Sequence, residues 1–96
     1  MTHVNRFFEE LGDRFADAAA RRGFPIDAPA LDAAVAQELL ELARVAAHTQ
    51  ERRFAPLASF MAGVAAERLR AAGAPSSPEA VAALLREIRT ELEAAG

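Results

Sequence analysis

The sequence predicts an all-α protein, a small antiparallel four-helix bundle with helices two and three as its central hairpin. Apolar residues recur at three- and four-residue intervals over most of the 96 residues. Glycine and proline punctuate the chain at helix-length intervals, and no stretch alternates apolar and polar as a half-buried strand would. The length suits a single helical domain, residues 1–96.

Helix one is expected over about His3–Arg22, stopping at Gly23. Val4, Phe7, Phe8, Leu11, Phe15 and Ala19 share one face, with Glu10 and Arg14 an i,i+4 pair on its flank. A loop, Gly23–Asp27, follows. Asp27 suits an N-cap and Pro29 a first turn, giving helix two over about Ala30–Glu51, with a break near Asp32 as the alternative. Helix three is expected from Pro56 to Gly73. The run Ala74–Glu79 then separates it from helix four, capped by Ser76 or Ser77, with Glu79 closing a capping box from Ser76. Helix four reaches about Ala95 and carries a stripe of Val81, Leu84, Leu85, Ile88 and Leu92.

At 100° per residue, helices one and four are one-sided. Helices two and three are apolar over more than half their circumference, which predicts burial from several directions. That is why they are placed at the centre, with one and four outside. Hydrophobic residues make up 52% of the chain, but much of this is Ala, which favours helix while burying little area. The expected core is thin.

The net charge is −3, and all basic residues are Arg, spread among 14 acids with no basic stripe. This excludes a nucleic-acid footprint. With no Cys, disulfides and thiolate chemistry are excluded as well. No run reaches the roughly 18 apolar residues of a membrane helix, and the N-terminal acids interrupt any secretory segment. The expectation is a cytoplasmic protein without a membrane partner.

Chemistry concentrates in Ala43–Gly63. His48 lies in the narrow polar arc of helix two with Arg44. It reads either as a cation favoured at a helix C-terminus or as a ligand or partner contact. Arg52 and Arg53 precede the Pro56 helix, where free N–H groups and guanidinium donors could hold a phosphate or carboxylate; pairing with Glu51 or with helix-two carbonyls is the alternative. Ser59, Gly63 and Ala66, at i, i+4 and i+7, form a small-residue strip that admits a close helix, from this chain, a partner or a second copy. Arg44, His48, Arg52, Arg53 and Ser59 are therefore the candidate anion- or partner-binding set, and Ser59, Gly63 and Ala66 the candidate interface. No nucleophile, paired acid/base constellation or metal-ligand spacing accompanies them, so neither catalysis, nor a metal, nor a cofactor is expected.

From about Leu39 the chain resembles a small helical domain family of unknown function in high-GC bacteria. The resemblance rests on Leu39, Leu40, Leu42, Ala43, Arg44, Ala47, His48, Arg53, Pro56, Leu57, Ala58, Ser59, Phe60 and Gly63. That family is commonly encoded beside, or fused to, the molybdopterin-guanine dinucleotide biosynthesis nucleotidyltransferase. The resemblance thus implies an accessory module, with the nucleotidyltransferase as partner, and not the enzyme itself, whose Gly-rich nucleotide loop is absent here. Phe54 stands where the family tends to have Pro, and the loop after helix one is longer than the family's; both departures fall at the candidate anion site.

Overall fold

The structure, a computed structural model, describes residues 2–95, with side chains from residue 6 onward. It contains α1 (Thr2–Arg21), α2 (Ala33–Thr49), α3 (Phe54–Ala71) and α4 (Pro78–Ala95), and no strand among the described residues. The all-α class is as predicted. The chain forms two compact units, Met1–Leu31 and Asp32–Gly96.

In the first unit α1 ends as its glycine requires. Gly23 takes φ +85°, a left-handed conformation that only glycine adopts cheaply. The Phe24 N–H then bonds back to the Ala19 carbonyl at 3.0 Å and that of Gly23 to Ala20 at 2.9 Å, the double closure of a Schellman end. A second glycine, Gly12, sits in the helix interior for a different reason. The returning chain lays the Pro29 carbonyl oxygen against it, where a methyl group would stand. Phe7 and Phe8 meet edge to face, with ring centroids 5.0 Å apart. The expected Glu10–Arg14 ion pair is not made. The Val4 side chain lies outside the described residues.

Helix two begins three residues later than its main expectation. Asp32, not Asp27, is the N-cap, its carboxylate accepting from the Ala34 and Val35 N–H groups at 2.9 and 3.1 Å. The alternative of a break near Asp32 is the one realised. Two proline-constrained stretches precede Asp32, and only there does an acidic side chain meet an unbroken helical run. Helix three begins at Phe54, so Pro56 is in its first turn but does not start it. It ends at Ala71, and Gly73 just beyond, φ +93°, makes the same double closure as Gly23 after α1. In α4 the cap is Ser77, whose hydroxyl accepts from the Ala80 N–H at 3.2 Å. Pro78 is then the first helical residue, and Glu79 falls one position short of a capping box.

Within the second unit α2 and α3 form the expected hairpin, and α2 also packs against α4. Ion pairs fix the direction of that second contact. Glu38 reaches Arg86 and Arg89, and Arg44 reaches Glu93, so α2 and α4 run parallel. The core is Leu42, Val45 and Ala46 of α2 against Ala82 and Leu85 of α4. Each of the larger side chains contributes about 1.5–3 kcal/mol by leaving water.

Burial is less evenly shared than the wide apolar arcs imply. α3 contributes no buried residue, and its Leu57, Phe60 and Met61 are 60%, 74% and 71% exposed. Its apolar arc is broad, but α2 covers only one sector of it. Between α3 and α4 a groove of about 380 Å³ stays open, floored by Leu42 and walled by Met61 and Ala65 on one side and Leu84, Ile88 and Leu92 on the other.

Candidate functional site

The predicted site residues fall into three groups. The first is the α2–α3 turn. The last turn of α2 is closed by its own groups, with the Thr49 hydroxyl donating to the Val45 carbonyl at 2.8 Å and the Gln50 N–H to Ala46 at 3.1 Å. His48 projects from this last turn of α2 into solvent. Arg52 and Arg53 are exposed beside it. The Arg53 Nε donates to Glu51 at 2.8 Å, while Arg52 makes no ion pair among the described residues.

The start of α3 adds no backbone donors to this group. The Phe54 N–H is bonded to the Glu51 carbonyl at 3.0 Å and that of Ala55 to Arg52 at 3.1 Å, and Pro56 has none. A helix N-terminus attracts anions through its free N–H groups. Here the first N–H groups of α3 are already satisfied, so the helix start itself offers an anion nothing.

Arg44, on the same helix face one turn before His48, is directed elsewhere. Its guanidinium bonds Glu41 at 3.0–3.2 Å and reaches Glu93 of α4 at 3.4 Å. It belongs to a charged seam across the α2–α4 contact. Glu38 is the centre of that seam, the one charged residue that is buried among the described residues. It accepts from the Arg86 Nε at 3.1 Å and from Arg89 Nη2 at 3.4 Å, and Arg89 Nη1 goes on to Glu93 at 3.3 Å. The Nε of Arg89 is buried with no hydrogen-bond partner among the described residues. Neither Glu38 nor Arg89 was among the candidates. Part of the signal was present, since at 100° per residue Glu38 falls inside the apolar stripe of α2, while Arg89 lies on the flank of the α4 stripe beside Leu85.

The third group is the strip on α3. The Ser59 hydroxyl turns back to the Ala55 carbonyl at 3.1 Å, so it is occupied within its own helix. Ser59 and Ala66 are half-buried and Gly63 is exposed. No atom lies within 4 Å of where a Gly63 Cβ would stand, so the notch at Gly63 is open. Phe60 and Val64 border it, together with Glu67 and Arg68. Glu67 is hydrogen-bonded to Arg70, which holds its carboxyl below the usual carboxylate range and raises the guanidinium in turn.

Among the described residues no cluster of three or more His, Asp or Glu side chains could hold a metal ion. No helix there is long and apolar enough to cross a membrane.

The chain matches a family model over residues 1–96, described as a domain of unknown function (DUF6457), and it belongs to that family. The match includes the first helix and loop as well as the stretch from Leu39 that carried the resemblance. No curated protein and no solved structure matches the chain.

Proposed function

We propose that this family member is a non-catalytic, cytoplasmic helical module that docks a protein partner on the exposed edge of α3. The partner is the molybdopterin-guanine dinucleotide nucleotidyltransferase that the resemblance implies, which would link the module to molybdenum-cofactor biosynthesis. The observation that carries a docking role is the pairing of Phe60, 74% exposed, with the open notch at Gly63 one turn on. An exposed aromatic next to a position where a backbone can approach closely is how interfaces anchor. Arg52 and His48 are exposed at the turn that leads into α3 and would form a polar rim to this surface.

The test is titration of the purified chain into the purified nucleotidyltransferase by calorimetry. Saturable binding that is weakened at least tenfold by Phe60→Ala or Gly63→Leu, with helicity intact, supports the reading. Absence of binding by the native chain overturns the choice of partner, and binding indifferent to both substitutions overturns the surface.

A second reading, an anionic small ligand held by His48, Arg52 and Arg53, is favoured by the absence of an ion pair at Arg52. It predicts a thermal shift with nucleotides but not with neutral analogues, abolished in Arg52→Ala with Arg53→Ala. The start of α3 offers it no free N–H group, which makes it the weaker of the two.

A further inference from the structure

We infer that the α3 edge accepts an acidic segment of a protein partner, with an apolar side chain entering beside Phe60 and a neighbouring carboxylate pairing with Arg68. That chemistry rests on the docking reading above, since it names what the same edge takes. Every residue involved lies on α3 or in the turn before it, so a single helix and its lead-in fix their arrangement.

Charge is the first observation. The whole chain carries −3. Residues 51–71 carry Arg52, Arg53, Arg68 and Arg70 against Glu51 and Glu67 alone, a balance of +2, which leaves −5 for the rest of the chain. All six of these residues are exposed. Two of the cations are spent locally, Arg53 on Glu51 at 2.8 Å and Arg70 on Glu67. Arg52 and Arg68 make no ion pair among the described residues. The surplus positive charge of an otherwise acidic protein is therefore held by those two guanidinium groups.

The surroundings of Arg68 are the second. It lines one depression with Phe60, Gly63 and Val64, together with Ser59 and Glu67. Phe60 is 74% exposed, and the space where a Gly63 side chain would begin is empty. The other polar side chains of the depression are already used. The Ser59 hydroxyl donates to the Ala55 carbonyl at 3.1 Å, and both Glu67 oxygens accept from Arg70. Apolar surface with one unpaired guanidinium at its margin suits an apolar side chain that has a carboxylate beside it, which the guanidinium fork matches. A basic segment would set like charge against Arg68. An exposed ion pair adds little affinity by itself. Contact with Phe60 and Val64 supplies the affinity, and Arg68 decides which segment is accepted.

The experiment is fluorescence anisotropy on the full chain with two labelled amphipathic peptides. They share one leucine-rich face and differ only in their flanks, all Glu in one and all Lys in the other. Binding that disappears in Phe60→Ala is counted as binding at this edge. By its overall charge the chain would favour the Lys peptide, so a preference for the Glu peptide reports the local surplus on α3. The native chain is expected to bind the Glu peptide about fivefold or more tightly than the Lys peptide. The preference is expected to vanish at about 1 M salt, where the screening length is about 3 Å. Arg68→Glu is expected to abolish it with circular dichroism unchanged. Arg68→Gln, which adds no acid, is expected to reduce it and decides the matter if Arg68→Glu fails to fold. Binding of neither peptide, equal binding, a preference for the Lys peptide, or a preference indifferent to both Arg68 variants overturns the inference. The nucleotidyltransferase takes no part in this measurement, so its failure to bind would overturn the choice of partner and not the charge preference of the edge.

Discussion

Glu38 of α2 and Arg89 of α4 meet at 3.4 Å, Glu38 from within the apolar stripe of its helix and Arg89 from the flank of its own. The Glu38 side chain is 11% exposed and that of Arg89 20%, so each charge has given up most of its water. Such a pair adds little net stability over an apolar pair, yet removing one partner strands the other. Glu38→Ala is expected to destabilise the chain by about 2–3 kcal/mol in urea denaturation, because Arg89 already has one unpartnered donor. Glu38→Leu combined with Arg89→Leu is expected within about 1 kcal/mol of the native chain. A double variant as unstable as Glu38→Ala would show that the pair itself carries the α2–α4 contact.

Gly12 offers a case where helix propensity and tertiary contact disagree in sign. Replacing a mid-helix glycine by alanine gains up to about 1 kcal/mol from propensity. Here the added methyl would run into the Pro29 carbonyl oxygen, a backbone atom that cannot rotate away. Gly12→Ala is expected to lower stability by about 1–3 kcal/mol, the usual cost of overpacking. Limited proteolysis would read it directly, as faster cleavage within residues 24–31.

Two glycines on or just after α3 should respond oppositely to the same substitution. Gly63→Ala meets nothing within 4 Å and sits in helical backbone, so the isolated chain should gain up to about 1 kcal/mol. Gly73→Ala forces a side chain into φ +93° and should lose about 1 kcal/mol or more. Thermal melts of both variants check this. Equal shifts would mean that the two sites are not conformationally distinct.

Capping distinguishes the two aspartates before α2. Asp32→Ala removes an acceptor for two N–H groups and should cost about 1 kcal/mol. Asp27→Ala removes no such contact and should leave the melt unchanged. Loss of stability at Asp27 in place of Asp32 would move the start of the helix.

Much of the fold could be read from the chain because its signals are local. Gly23 and Gly73 end helices in the sequence and in the structure, and the stripes of α1 and α4 follow a simple helical period. Asp27 and Asp32 were harder to separate, since both precede helix-forming residues and only the neighbouring prolines decide between them. The candidate site was less legible. His48, Arg52 and Arg53 do gather at one turn, but Arg44 is drawn away by Glu93, forty-nine positions along the chain. Nor does a sequence show that the first N–H groups of α3 are spent inside the turn. Periodicity reports how much of a helix is apolar, not how many neighbours it has, and so α3 looked more buried than it is.

That α3 holds no buried residue has a consequence for how the second unit breathes. Among the described residues every buried side chain of the core lies on α2 or α4, so α3 can detach without withdrawing a buried side chain of its own. Its amide protons should therefore exchange with solvent through a partial opening, well before those of Leu42–Ala46 and Ala82–Leu85, which wait for global unfolding. Weakly protected amides would run from Val64 to Arg68, and ligation of either exposed side of α3 would slow them.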